Sequence, residues 1–397
     1  MKNALLLSAL AATATASPLV QHSTSSTAPH RVSVPIFPQA QHRLPPRQGR
    51  GQLGCSSRSL LHPAHPRAKR RGMCPSPTRV IYSTFVPHDR QHRHGQVFTV
   101  DLDTGSRDLW VPGPNCASKD GSCTAGGGPI NLADTSVQSA GLTFSVSYGT
   151  GSVTGDVYSA PYTLAGATTS KGYFGVTTCE FNQPSQGLLG LFFSAGNDGD
   201  VTAKVGWVPI VALGLQSFGF YLSNSDNGDS GTFTTNGFDA SHVSGPFTFE
   251  AVQPSSGNWQ FDVSHGSVTI GNNTADLSVG GSVNNAVADT GTTNLIVPTS
   301  VATAIWGAIG ATNNGSSIPS SVAQTGPDVD LTFSQTAYSV AASVYVFDIG
   351  NGTCASGISG GAETFGVSLF GDIFLRNWYS LFDVANSRIS FAKALHP

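Results

Sequence analysis

Phe98-Thr99-Val100-Asp101-Leu102-Asp103-Thr104-Gly105-Ser106 carries an apolar strand into an Asp-Thr-Gly turn, and Ala286-Val287-Ala288-Asp289-Thr290-Gly291-Thr292 does so again. Each copy is followed later by two apolar residues and a glycine: Leu188-Leu189-Gly190 in the first case, Leu369-Phe370-Gly371 in the second. A single triplet is weak evidence, because an aspartate capping its own turn produces the same letters. Two copies in matching contexts point to duplication of one lobe, with the chain dividing near residue 224.

Each strand delivers a carboxylate to a turn, each glycine admits close backbone approach from the opposite lobe, and Ser106 or Thr292 supplies a hydroxyl beside the carboxylate. Two carboxylates held face to face cannot both ionise cheaply, so they keep one proton and titrate as a unit. The ionised member takes a proton from water, the water attacks a carbonyl carbon, and the protonated member donates to the carbonyl oxygen. This chemistry makes Asp103 and Asp289 the candidate catalytic pair and calls for neither a metal nor a cofactor.

Only 11% of the 397 residues are charged and 46 are glycine, a composition that suits short strands and tight turns. Strands are expected at Gln96–Leu102, Leu142–Tyr148, Phe218–Leu222, Phe247–Val252, Gln260–Ile270 and Arg388–Ala392. One helix is expected over Pro298–Ile309, where Val301, Ile305, Trp306 and Ile309 recur on one face.

Charge is divided unevenly. Residues 1–95 hold 13 of the 20 Lys and Arg, 8 of the 11 His and one acid, Asp89, whereas the remainder sets 22 acids against 7 bases, a formal −15. Such an acidic body is relieved of self-repulsion at low pH. The basic leader reads either as an inhibitory pro-segment that neutralises it or as a disordered arm. Residues 1–16, with Lys2, an apolar run and Ala14-Thr15-Ala16, read as a secretory signal peptide, and no later stretch reads as a membrane anchor. Arg67-Ala68-Lys69-Arg70-Arg71 reads either as a processing site or as solvated charge. Nothing beyond this basic leader resembles a nucleic-acid motif.

An exported chain permits disulfides, and Cys116 with Cys123 is the best local pair among the six cysteines. Sequons at Asn272, Asn314 and Asn351 mark glycosylation acceptors on exposed turns.

From residue 96 to 397 the chain resembles the pepsin-like aspartic proteases, in particular the secreted fungal, polyporopepsin-like type. The resemblance rests on both triplets, on Leu109-Trp110-Val111-Pro112, on Val146-Ser147-Tyr148-Gly149-Thr150-Gly151-Ser152, and on Leu369-Phe370-Gly371-Asp372-Ile373-Phe374 with Tyr379, Phe382-Asp383 and Ile389. It implies an all-β, bilobal pepsin-like fold with an interlobe sheet and an active-site cleft that takes protein or peptide substrates as an extended strand. It implies that Tyr148, at the tip of a mobile hairpin flap with Gly149 and Thr150, closes over substrate and takes a hydrogen bond from Trp110. Gly105, Gly291 and Thr292 would line the substrate site, and Ser106 and Thr292 would steady the outer oxygens of the two aspartates. Asp101 lies two residues before Asp103 and on the same strand face, so where that face borders the pocket it would form an acidic wall that accepts Lys or Arg as well as bulky apolar residues. The resemblance also implies a monomer inhibited by pepstatin-type compounds. It leaves Cys354 without its usual partner, so that it is either free or paired unusually, for instance with Cys179.

The resulting organisation is a signal peptide at 1–16, a basic pro-segment-like or disordered region at 17–80, an N-terminal β-lobe at 81–223 and a C-terminal β-lobe at 224–397. The function read from it is a secreted acid endopeptidase, extracellular or alternatively vacuolar. A catalytically silent pepsin-fold binding protein, or the non-productive product of an aberrant gene model, are the competing readings. The second competitor is motivated by the Arg- and His-rich segment before Gln96, of which only the first half reads as a strand.

Overall fold

This computed structural model describes residues 31–36, 82–87 and 96–396, except 119, 121, 124–127, 150, 184–186, 194–199, 224–230, 254–255, 279–282 and 351–352. The expected signal peptide, the basic run Arg67–Arg71, Thr150 and the sequon asparagine Asn351 lie outside the described residues.

The fold is all-β and bilobal, and the internal repeat of the sequence is a repeat of topology. In the first half, Phe98–Asp103 pairs in parallel with Leu188–Gly190, which pairs antiparallel with Leu109–Ala117. In the second, Asn285–Ala288 pairs in parallel with Ser368–Phe370, which pairs antiparallel with Leu295–Ile296. Each apolar-apolar-Gly run is therefore the central strand of a three-strand unit whose first strand ends in an aspartate triplet. Backbone bonds fix that geometry: Leu191 N donates to Asp103 O at 2.8 Å and Asp289 N to Phe370 O at 3.1 Å.

The first unit sits in a seven-stranded sheet that also contains Tyr82–Pro87, Ala167–Phe181, Ser152–Leu164 and Gln138–Ser147. Tyr82–Pro87 pairs with both Phe98–Asp103 and Ser152–Leu164, so it closes the sheet on itself. A six-stranded sheet draws strands from both halves in the order Val32–Ile36, Gly231–Thr235, Ser217–Tyr221, Trp378–Asp383, Arg388–Ala394, Val243–Ala251. Val32–Ile36, which falls inside the stretch read as a leader, is its outer strand, with Ser33 Oγ 2.9 Å from Thr234 Oγ1. Buried aromatic rings weld this sheet to both halves. Phe218 stacks on Phe382 at 4.9 Å, Trp259 meets both rings, and Trp259 Nε1 donates to Leu191 O at 2.8 Å, one residue past Gly190.

Two sequence expectations change. Gln260–Ile270 is not one strand but two, Gln260–Asp262 and Ser267–Ile270, because Asp262 Oδ1 accepts from Ser264 N at 2.7 Å and turns the chain between them. Cys354 is buried, and both it and the half-buried Cys179 are disulfide-bonded, so the free-thiol alternative does not hold. The Cys116–Cys123 bond is present, with Cα atoms 5.7 Å apart. The helix Thr299–Ala308 forms where expected and buries Val301, Ala302 and Ile305.

Several carboxyls are buried in these sheets. Asp108 accepts from Val201 N at 3.1 Å and Thr202 N at 2.9 Å, yet burial and the neighbouring charge of Asp200 push it up to about 6. Burial also raises Glu250, which Ser334 Oγ meets at 2.6 Å. Between the ordinary carboxylate range and about 6 the unfolded chain has released a proton that folded Asp108 keeps, so stability falls as pH rises through that window. Thermal unfolding from pH 3 to 7 is expected to show this fall, worth roughly 3 kcal/mol from Asp108, with a shallower slope in Asp108→Asn.

Candidate active site

Asp103 ends its strand and Asp289 follows the strand Asn285–Ala288, and the two are 6% and 8% exposed. In each turn the aspartate Oδ1 accepts the N–H of the glycine two residues on, Gly105 at 2.7 Å and Gly291 at 2.9 Å. A Cβ added to Gly105 would overlap the Asp289 carboxylate, and one on Gly291 would overlap that of Asp103. Only glycine lets each turn come so close to the opposite carboxyl.

The middle residues of the triplets hold the two turns together. Thr104 N donates to Thr290 Oγ1 and Thr290 N to Thr104 Oγ1, both at 2.9 Å. The hydroxyls pass the bonding on: Thr104 Oγ1 donates to Ala288 O at 2.8 Å and Thr290 Oγ1 to Leu102 O at 2.6 Å. Both threonines are fully buried, so each bond is made away from competing water. Sequence reasoning gave these threonines no role, although the same residue in the middle of both triplets was a signal that a symmetric partner existed.

Burial raises the Asp289 carboxyl well above the ordinary range, and the Asp103 charge and the hydrogen bond between the two carboxyls act in the same direction. Thr292 Oγ1 donates to Asp289 Oδ2 at 2.6 Å and partly opposes this rise. The parallel expectation for Ser106 fails: among the described residues its buried hydroxyl has no hydrogen-bond partner. Serine lacks the β-methyl that restricts threonine at χ1, so the turn fixes its hydroxyl less firmly than that of Thr292.

Trp110 is fully buried and its Nε1 donates to the Tyr148 hydroxyl at 2.9 Å. Tyr148 begins the tip between the hairpin strands Gln138–Ser147 and Ser152–Leu164, and its N–H donates to Gly151 O at 2.7 Å. Burial raises the phenol, and the charge of Asp108 raises it further. A Cβ at Gly149 would lie 4.0 Å from the half-exposed ring of Phe365, so the hairpin tip reaches across to the C-terminal half. Asp101 is 3% exposed and its N–H donates to Gly187 O at 2.9 Å. Asp108 and Asp200 also escaped the sequence reading. They tie the start of the helix Val201–Val205 beside the first triplet, Asp200 Oδ1 capping Ala203 N at 2.6 Å.

Residues 93–394 match the family model described as eukaryotic aspartyl protease. The chain is 34% identical to Rhizopuspepsin-2 of Rhizopus niveus, over 73% of each sequence. It is 32% identical to Pepsin A of Bos taurus, over 75% of this chain and 80% of that one. A probable vacuolar protease A of Arthroderma benhamiae is 30% identical over 75% of this chain and 76% of its own.

Replacing Thr290 by valine keeps the shape but leaves buried Leu102 O and Thr104 N without their partner. Denaturant unfolding of Thr290→Val is expected to show a loss of roughly 2 to 4 kcal/mol, with an exposed-site control such as Thr303→Val close to wild type.

Proposed function

Since the chain belongs to the eukaryotic aspartyl protease family and is an aspartic-type endopeptidase, we propose that it cleaves proteins at acidic pH with Asp103 and Asp289 sharing one proton. The observation that carries this reading is the pair of carboxyls, each set against the other triplet's glycine, with Asp289 raised by burial and by Asp103. A pair that holds one proton contains both a base and an acid. The base takes a proton from water, the resulting nucleophile adds to the scissile carbonyl carbon, and the acid protonates the carbonyl oxygen. Collapse of the tetrahedral species then returns a proton to the leaving amine, and the pair is reset.

Tyr148 acts as the flap residue. Its hydroxyl is held by Trp110, so its ring closes over the cleft in one orientation, excluding water and forming the first side-chain pocket. Gly149 offers backbone to an extended substrate, while Gly105, Gly291 and Thr292 border it beside the dyad. Asp101 contributes negative charge near Asp103 and favours Lys or Arg before the scissile bond. Protein and peptide substrates enter as a strand, with backbone bonds supplying affinity and pockets supplying choice. The enzyme works as a secreted monomer, and the named vacuolar relative keeps a vacuolar destination as the alternative. Among the described residues no helix is long and apolar enough to cross a membrane.

Digestion of casein or haemoglobin across pH 2 to 7 tests the reading. Pepstatin-sensitive cleavage is expected in acid. It declines as rising pH strips the shared proton from the pair, at a pH above the ordinary carboxylate range because Asp289 is raised. Asp289→Asn is expected to lose about 100-fold to 10,000-fold in kcat. Unchanged activity in that variant overturns the assignment.

A further inference from the structure

Behind the flap lies a carboxyl that the dyad chemistry does not use. The outgoing flap strand is backed almost to its tip by Ala167–Phe181: Ser152 pairs with Phe181 and Val153 with Glu180. The chain then turns at Asn182, whose φ is 51°, and Gly151 packs against this turn, where a Cβ would overlap Phe181 O and crowd Asn182 O.

A second loop grips that turn. Asp120 Oδ2 accepts from Asn182 N at 2.5 Å, and Ser122 Oγ accepts from Gln183 N at 3.0 Å. Asp120 Oδ1 in turn accepts from Ser122 N at 3.1 Å and from Ser122 Oγ at 2.6 Å. The Cys116–Cys123 bond ties the gripping loop to the end of the strand Leu109–Ala117.

Glu180 sits where these pieces meet, 1% exposed, with a carboxylate oxygen within 4.8 Å of both sulfurs. The sulfurs are bonded to each other, so they act here as apolar packing rather than as ligands. Glu180 Oε1 accepts from Thr177 Oγ1 at 2.6 Å, and among the described residues buried Oε2 has no hydrogen-bond partner. The titratable neighbour whose charge bears on it is Asp120, the residue that holds the turn.

We propose that Glu180 is a positioning residue whose uncharged carboxyl keeps the flap's backing in place, and whose ionisation against Asp120 releases it. A protonated carboxyl fits this pocket, since it is neutral beside the sulfurs and does not repel Asp120. An ionised one leaves a buried oxygen without a donor and sets two like charges across the loop that grips Asn182. Burial, with Asp120 as a further cause, pushes Glu180 up to about 7. The grip is therefore complete below the ordinary carboxylate range and is lost as pH rises through about 7. The consequence for peptide cleavage rests on the reading of Tyr148 as the flap residue, whereas the structural claim does not.

Hydrogen exchange on the full-chain protein tests this independently of activity. We expect amide protection in 152–156 and 181–183, corrected for the intrinsic pH dependence of exchange, to fall by up to about tenfold per pH unit between the ordinary carboxylate range and about 7, and to level off above it. Glu180→Gln is expected to hold its protection across that window, because it stays neutral. Thr177→Val removes the hydroxyl that donates to the ionised form and is expected to extend the loss to higher pH. Flat protection in the wild type, or an equal loss in Glu180→Gln, overturns the proposal. Pepstatin-sensitive cleavage by the wild type, measured in parallel, reports separately on the protease reading, since its absence leaves the exchange result standing.

Discussion

Four hydrogen bonds, two between Thr104 and Thr290 and two from their hydroxyls to the carbonyl just before the other triplet, set the distance between the two halves where the carboxyls of Asp103 and Asp289 meet. Each backbone N–H is satisfied by the other threonine's hydroxyl, and each hydroxyl finds a carbonyl one strand away. The carboxyls of Asp103 and Asp289 are carried on these turns, so their mutual repulsion is resisted by bonds that neither lobe could make alone. The aromatic seam from Phe218 and Phe382 through Trp259 to Leu191 supports the same junction from below.

Charge and burial run in one direction through the molecule. Asp108, Glu180, Glu250 and Asp289 are all raised, with burial the largest cause in each case. A protein that keeps several carboxyls neutral in its interior is most at ease where carboxyls are protonated anyway. This agrees with a body whose formal charge beyond residue 95 is strongly negative. The proposed acid chemistry of Asp103 and Asp289 thus asks for the same conditions as the fold, and for the same physical reason.

What was legible in the sequence is what the chemistry fixes letter by letter. The two triplets, the apolar pairs ending in glycine, and Trp110 with Tyr148 all took the places read from them. The acid-lined turn at Asp262 was also written in the chain, but the apolar letters on both sides hid it within one expected strand. Ser106 failed because a hydroxyl type does not specify a rotamer. Glu180 was invisible because a lone acid at a strand end reads as solvated, and only folding brings Thr177, Asp120 and the disulfide around it. Val32–Ile36 was hidden by distance, since Ser33 meets Thr234 across 201 residues of chain.

That outer strand bears on how the protein can be shortened. Gly231–Thr235 has Val32–Ile36 on one side and Ser217–Tyr221 on the other, and Phe233, Thr234 and Thr235 are buried beneath it. A chain trimmed beyond Ile36 would keep both triplets yet present a row of unpaired backbone donors and acceptors along Gly231–Thr235. Such a row is a template for another molecule's strand, so the shortened protein would be prone to self-association. Those few residues, embedded in an otherwise basic stretch, serve the body as its selvage, the finished margin that keeps a woven sheet from catching on its neighbours.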